Sequence, residues 1–535
     1  MKKDYLKYKF KKEYGKDPRE FSYRDESKDM IPKVSIYHEM QKENADKYYG
    51  LDKITWDDIE MDEVFFRVNH TRSYAGEQML YHKLHILGDA GSREKIDREA
   101  AFFDENEDAR INAEAQLYKL GKGYINYHIP EAIDNVEKIN FRHKFICPIL
   151  SVLFFASLIL GIVKPDLAGF SVIMGIVNLM VSIYIKMRYE QHLFSMGSFR
   201  MLVVCCKNLM KIKGVKEMYS NQEFENSLDN IDKATQKIDG FIARKFAEDS
   251  GDTMSVILGY VVGITLIDAL LYMIVADKLK KAKSELWQCY RFAGDIDTAI
   301  SVASFRNGIA WCKPVIEGDS KIKCTALYHP LLENPVTNDF DMEKNSFFTG
   351  ANASGKSTFM KAVAINVILG ESIYTCAADE FYFPEMYVMT SMALRDDVLM
   401  GESYYVKEVK YLKRMLEKVE SGDKTLIVID EILKGTNTKE RVAASKAVLD
   451  YLSEKPAIVL TATHDLELVE QMDGRYDAYY FECSVEENDV KFSYKLHKGK
   501  NDITNAINIM KAMGFPEKVV KNAMKNAEET GKTAI

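Results

Sequence analysis

Nine residues, Gly350 to Thr358 (GANASGKST), fit the pattern G-x-x-x-x-G-K-[ST]. Residue types in that order suit the grip of a polyphosphate. Gly350 and Gly355 let the backbone turn sharply and approach a polyanion. Ala351, Asn352, Ala353 and Ser354 fill the variable positions, so the N–H groups of the loop and of the helix start at Ser357 and Thr358 point at phosphates. Lys356 is placed to reach the β- and γ-phosphates, and the Ser357 hydroxyl to hold Mg²⁺. Further along, Thr425 to Glu431 (TLIVIDE) is a β-branched run ending in two acids. It reads as a buried parallel strand that delivers carboxylates at its C-terminal end. Asp430 would bind Mg²⁺, directly or through water, and Glu431 would orient or deprotonate an attacking water. A third run, Ala457 to Ala462 (AIVLTA), leads into Thr463 and His464. His464 suits a γ-phosphate sensor, or a hydrogen-bonded structural residue.

These groups need elements to hold them. Ser346 to Thr349 reads as a short buried strand before the loop, and Ser357 to Leu369 carries the apolar spacing of a packed helix after it. Three buried strands with helices between them predict an open parallel α/β sheet with its ligand at the C-terminal strand ends.

Four motifs in order carry a resemblance: GANASGKST, MGESYYVKEV (Met400 to Val409), VIDEILKGTNT (Val428 to Thr438) and TATHDLEL (Thr461 to Leu468). They resemble the ATPase domain of the MutS family, and the likeness extends over roughly residues 320–525. It includes Tyr328 to Leu331, Val336 to Asp339 and Gly514-Phe515-Pro516. Upstream, Val68 to Leu84 and Ala293 to Phe305 resemble that family's helical core. The resemblance implies an α/β P-loop ATPase domain with an ABC- and MutS-like parallel sheet, beside an all-α core and lever domain. It implies ATP and Mg²⁺ as cofactors and a homodimer with shared sites. Ser403 would reach the partner's γ-phosphate, although it also suits a helix N-cap before Tyr404 to Val419. Lys434 to Thr438 would lie at the dimer seam. Val336 and Thr337 match positions packing on adenine, His497 resembles a histidine stacking on it, and Glu431, Lys356, His464 and Ser403 form the catalytic set. Two departures stand out. Ala351-Asn352-Ala353-Ser354 replaces the family's Pro-Asn-Met-Gly, and Lys439-Glu440-Arg441 replaces a Gly-containing segment.

The chain has 535 residues, long enough for several domains, and a formal charge of −8, which argues against a uniformly basic nucleic-acid binder. Its 8 cysteines are scattered without a C-x-x-C pair, as in a reducing compartment. Lys2, Lys3, Lys7, Lys9, Lys11, Lys12 and Lys16 make the N-terminus basic. That predicts a solvated arm, or one drawn to an anionic membrane surface. Phe145 to Val163 and Leu167 to Ile185 are uncharged apolar runs joined by Lys164-Pro165-Asp166. Each approaches the roughly 20 residues that cross a bilayer. Arg142, His143 and Lys144 before them and Lys186 and Arg188 after them put both flanks in the cytosol. The expectation is a two-helix cell-membrane protein with its N-terminus and ATPase on the cytoplasmic side. A third run, Met254 to Ala276, contains Asp268. Because an acid in the bilayer costs about 2.5–3.5 kcal/mol, this run reads as a buried helix of the soluble body.

The expected organisation is a basic N-terminal arm over 1–50, a first core part over 51–144, a transmembrane hairpin over 145–185, a second core and lever part over 186–315 and the ATPase over 316–535. Residues 1–50 leave no room for a mismatch-reading domain, and a connector is not recognised. The first functional reading is therefore a membrane-anchored, dimeric, Mg²⁺-dependent ATPase with a clamp acting on DNA, selecting DNA structure rather than mismatches. A second is a nucleotide-driven switch acting on a protein partner at the membrane. A third, an ABC-type transporter, lacks an LSGGQ stretch and has too few crossings. Membrane lipid is a partner in the first two.

Overall fold

In the computed structural model, the described residues are 2–21, 24–43, 49–138, 145–219, 221–240, 253–318, 321–351, 353–392, 404–486, 489–500, 507, 510 and 513–533. The chain divides into a helical unit (1–46, 69–82 and 98–304) and a sheet unit (47–68, 83–97 and 305–535).

The sheet unit holds two sheets. Strands β1 (Val315–Ile316), β2 (Lys323–Leu327), β3 (Asn338–Asp341), β4 (Asn345–Thr349), β5 (Glu380–Phe383), β6 (Tyr387–Ser391), β7 (Thr425–Asp430), β8 (Ala457–Ala462), β9 (Tyr476–Glu486) and β10 (Asp489–Lys498) divide into orders β1-β5-β2-β3 and β10-β9-β4-β8-β7-β6. In the larger sheet β9, β4, β8, β7 and β6 pair in parallel, and β10 closes one edge antiparallel. The apolar runs of β7 and β8 are uninterrupted because both faces of these strands are covered. Leu426, Ile427, Val428, Val459 and Leu460 are all fully buried. Alternation along β4 splits the two phenylalanines. Phe347 joins Met415, Leu449 and Val459 in one core cluster. Phe348 packs its ring against Phe359 of the helix Lys356–Ile373.

Two early segments belong to this unit rather than to the helical core in which the sequence reading placed all of 51–144. Their polar groups find partners there. Asp58, in the helix Lys53–Asp58, accepts from Thr390 Oγ1 (2.8 Å) and Met392 N (2.9 Å). Arg93 donates to Glu371 Oε2 at 2.9 Å, and Glu371 Oε1 accepts from Met386 N at 3.1 Å. Burial pushes the Glu371 carboxyl up to about 8, against the pull of Met386 N–H and Arg93.

In the helical unit, Asp297 of the helix Lys283–Asn307 is fully buried. It accepts from Arg72 N (2.9 Å), Ser73 N (2.8 Å) and Ser73 Oγ (2.6 Å). Ser73 Oγ in turn accepts from Gly76 N at 3.1 Å and so caps the start of the helix Tyr74–His85. A Cβ at Gly76 would collide with the Asp297 carboxylate, so this close approach needs glycine. The basic N-terminus is not a free arm. Its helix Lys2–Glu13 buries Phe10, and Glu13 accepts from Arg72 at 2.6 Å. Lys11 also pairs with Glu107, so one of its own lysines helps to hold the helix in place.

The helices Ile146–Val163 and Ala168–Arg188 are each long and apolar enough to cross a membrane, by length and composition. The residues Arg142, His143 and Lys144, on which part of the predicted orientation rests, lie outside the described residues. The third apolar run is not the single buried helix expected from the sequence. It folds as Thr253–Thr265 and Ile267–Leu279, bent by 69° at Leu266, which adopts a left-handed conformation (φ 60°). The second piece is buried through Tyr272, Met273, Val275 and Ala276, while the first exposes Met254, Ile257, Leu258, Tyr260 and Val261.

The Arg93–Glu371 pair yields a stability prediction. Removing Arg93 leaves the buried Glu371 without one of its donors, and an unsatisfied buried polar group costs about 1–3 kcal/mol. Arg93→Ala is therefore expected to lower the thermal midpoint of the purified protein, followed by intrinsic fluorescence. Glu371→Gln, which keeps an acceptor for Met386 N–H without a charge, should cost less. A midpoint unchanged by Arg93→Ala would contradict the assignment.

Candidate functional site

Strand β4 ends at Thr349, and Gly350 turns the chain with φ 128°. A Cβ there would lie 2.8 Å from the Phe481 carbonyl oxygen, so β9 approaches the loop too closely for any other residue. Gly355, at φ 107°, starts the helix Lys356–Ile373. Ala353 also holds a positive φ, 66°, which costs a residue with a side chain about 1–2 kcal/mol. The loop folds back on its lysine: Lys356 Nζ, nearly buried, donates to Gly350 O (2.8 Å) and Ala351 O (2.9 Å). Burial lowers the lysine pKa, while Asp430 and Glu431 oppose that shift. Ser354 is fully buried, and its hydroxyl lacks a hydrogen-bond partner. The loop thus holds a buried cation and an unused donor beside the first turn of a helix, an arrangement suited to anionic oxygens.

Parallel pairing brings the other groups to the same strand ends. Phe348 of β4 is opposite Ala462 of β8, which is opposite Asp430 of β7. Asp430 Oδ2 accepts from Ser357 Oγ at 2.5 Å. Among the described residues no three His, Cys, Asp or Glu side chains form a metal cluster. A Ser hydroxyl beside one carboxylate nevertheless fits Mg²⁺, which keeps waters and takes phosphate oxygens rather than filling a protein cage. Glu431 follows in a left-handed conformation (φ 61°), its N–H donating to Ala462 O at 3.1 Å. That twist turns its carboxylate toward His464 Nε2 (3.4 Å) and Lys434 Nζ (2.9 Å). The His464 hydrogen bond, then Lys434, holds the Glu431 pKa at about 2. His464 and Glu431 are thereby brought together, as are Ser357 and Asp430.

A cleft of about 380 Å³ adjoins the loop, lined among others by Tyr328, His329, Val336, Phe359, Phe481 and Tyr494. Val336 sits in this lining. Thr337 and His497, proposed from sequence as adenine contacts, do not. Thr337 offers its carbonyl to Lys495 Nζ (2.6 Å), and His497 stacks on Tyr480 with centroids 5.2 Å apart. Tyr494 is an aromatic residue of this lining. It sits at an irregularity in β10 with φ 54°, and Asn338 fixes that kink: its Nδ2 donates to Tyr494 O (3.0 Å) and its Oδ1 accepts from Leu496 N (2.8 Å).

Glu408 was also missed. It lies in the helix Tyr404–Glu420, is nearly buried, and accepts from Lys434 N and Gly435 N, both at 3.0 Å. Burial raises its pKa. Arg441, noted only as a departure, grips Asp465 through two bonds of 2.8 and 2.7 Å. Asn352 and Ser403 lie outside the described residues.

Comparison with known proteins agrees with the geometry. Residues 346–530 match the family model MutS domain V. The chain is 29% identical over 252 residues to the DNA mismatch repair protein MutS of Caldanaerobacter subterraneus, covering 44% of this chain and 28% of that one. It is 28% identical over 279 residues to the MutS of Clostridium kluyveri, with 48% and 32% covered. It is 28% identical over 270 residues to the MutS of Aquifex pyrophilus, with 48% and 31% covered. The chain therefore spans about a third of the length of the curated relatives it matches. Residues 346–530 match MutS domain V, and the similarity to the MutS proteins extends over somewhat less than half of the chain.

Proposed function

We propose that the sheet unit binds and hydrolyses ATP in a homodimer, and that hydrolysis drives a clamp on DNA beside a membrane. The observation that carries the ATPase reading is the convergence of Lys356, Ser357, Asp430, Glu431 and His464 at the C-terminal ends of β4, β7 and β8. In this reading Lys356 leaves its two carbonyls for the β- and γ-phosphate oxygens, and the loop N–H groups and Ser354 Oγ donate to the rest. Ser357 and Asp430 hold Mg²⁺, which neutralises phosphate charge. Val336 and Tyr494 flank the adenine. His464 contacts the γ-phosphate while remaining beside Glu431. The Phe145 to Ile185 hairpin anchors the chain in the cell membrane, with both flanks cytoplasmic. DNA as the substrate of the clamp rests on the relatives' printed name, DNA mismatch repair protein MutS.

The depressed pKa of Glu431 supports the water-orienting role over that of a base. A carboxyl near 2 accepts a proton from water weakly, because a general base works best with a pKa close to the working pH. Glu431 therefore orients the attacking water. Its carboxylate contributes to the folded state above the unfolded-chain value near 4.3, and that contribution fades as pH falls toward 2. His464→Gln removes the largest cause of the depression and lets the Glu431 value rise toward an ordinary carboxylate. The acid limb of ATP turnover, normalised to each protein's maximum, should then move to higher pH. Coincident acid limbs in parent and variant would show that the histidine does not set the carboxylate.

Glu431→Ala should retain ATP and lose turnover by about 100-fold or more. Ser403→Ala should also be impaired, because its hydroxyl acts in the partner's site. Mixing the two variants creates dimers with one site that has both residues. Turnover above that of either variant alone is the expected result, and no recovery refutes the shared site.

Stimulation of hydrolysis by DNA tests the clamp. Turnover by the detergent-purified chain should rise at least twofold with branched or duplex DNA. Equal turnover with branched, duplex and single-stranded DNA and with none would remove DNA from the proposal.

A further inference from the structure

Within the helical unit, the bent pair Thr253–Thr265 and Ile267–Leu279 is built unlike a soluble helix and unlike a crossing one. At 1.5 Å per residue, the 13 residues of Thr253–Thr265 reach about 20 Å, two-thirds of a hydrocarbon core of about 30 Å. This piece packs against the hairpin helix Ala168–Arg188. Gly263 permits the approach, since a Cβ there would lie 3.3 Å from Ser182 Oγ, and a Cβ at Gly175 would lie 3.4 Å from Ile264 Cγ2. The remaining faces carry Met254 (71% exposed), Ile257, Leu258, Tyr260 and Val261. On the hairpin, Ile159, Val172, Ile176 and Met180 are likewise exposed.

The end of this piece is finished for an apolar medium. The last carbonyls of a helix lack partners within it, and in hydrocarbon each unpaired group costs several kcal/mol. Asn178 Nδ2 donates to Ile264 O at 2.8 Å, and Ser151 Oγ donates to Thr265 O at 2.9 Å. Both donors stand in the middle of apolar helices, and both are buried. A helix ending in water would need neither.

The described segments before and after the bent pair both pair with residues that flank the hairpin in sequence. Before it, Asp239 pairs with Arg200, in the helix that follows the hairpin, at 2.5 Å. After it, Lys283 pairs with Asp134, ahead of the hairpin, at 3.1 Å, and Trp287 Nε1 donates to the same carboxylate at 3.4 Å. Ile267–Leu279 packs on the charged helix Gln222–Thr235, which belongs to water.

We propose that Thr253–Thr265 is a re-entrant membrane segment. It enters the bilayer beside the hairpin with its outer face against acyl chains, turns back at Leu266, and leaves on the side from which it came. Asn178 and Ser151 are the hairpin's caps for its buried end. The inference rests on the hairpin spanning the membrane.

Tryptophan reporters and cysteine labelling test both statements. Tyr260→Trp and Ile159→Trp are each reconstituted into phosphatidylcholine vesicles with and without brominated acyl chains, and emission is read above that of the parent with its 3 tryptophans. Thr253→Cys, Lys281→Cys and Asp166→Cys are labelled in oriented vesicles with a membrane-impermeant maleimide, again above the parent. The expected result is at least twofold quenching of both tryptophans, with residues 253 and 281 labelled from one face and residue 166 from the other. Labelling of 253 and 281 from opposite faces would make the pair a third crossing and overturn the proposal. An unquenched Tyr260→Trp beside a quenched Ile159→Trp would overturn it while leaving the hairpin in place. Both unquenched, with 166 on the same face as 253 and 281, would overturn the spanning hairpin and the re-entrant segment together.

Discussion

Parallel pairing in register is the constraint on which the sheet unit depends. Because β4, β8 and β7 run the same way, with Phe348, Ala462 and Asp430 side by side, three chain segments far apart in sequence finish at one edge. Each then leaves through a turn carrying chemistry. Had any of the three run antiparallel, its polar end would lie on the opposite side of the sheet. The register is secured by burial on both faces: a slip of one residue would exchange Phe347 with Phe348 between two fully packed layers.

The turns are the strained part of this arrangement. Ala353, Glu431 and Leu433 all take left-handed backbone conformations that a side chain resists. The turns at Glu431 and Leu433 are held by hydrogen bonds from elsewhere: Glu431 N to Ala462 O, and the two N–H groups after Leu433 to Glu408. A buried acid in the helix Tyr404–Glu420 thus shapes the turn that aims another acid at His464. Electrostatics and backbone geometry support each other here, since the Glu431 carboxylate gains two cationic or hydrogen-bonding neighbours only in the conformation that its backbone disfavours.

Much of this was legible in sequence, for a physical reason. Phosphate loops, buried parallel strands and long apolar helices leave local signatures, because glycine spacing, β-branched runs and uncharged stretches act over a few residues. What escaped depended on contacts between distant residues. Nothing near Asn338 announces that its amide will hold a kink 156 residues later, so the place of Tyr494 in the cleft wall is not legible in sequence. Nothing in Met254 to Ala276 marks Leu266 as a break, for it is neither glycine nor proline; the carbonyl partners that permit the break sit on the hairpin at Asn178 and Ser151. The lysine-rich start looked solvated because the partner of Glu13, Arg72, is 59 residues away.

The self-contained state of Lys356 has a consequence for selectivity. Its ammonium is already satisfied by two carbonyls of its own loop, so any incoming anion competes with bonds made at no loss of translational freedom. Inorganic phosphate, touching the loop through a few oxygens and free to tumble, returns little more than it displaces. A nucleoside triphosphate spreads its contacts over the whole loop and adds the cleft of Val336 and Tyr494, so one immobilisation serves all of them. If the loop takes a nucleoside triphosphate as proposed, the lysine would act as a threshold that disfavours small anions relative to a long tethered one.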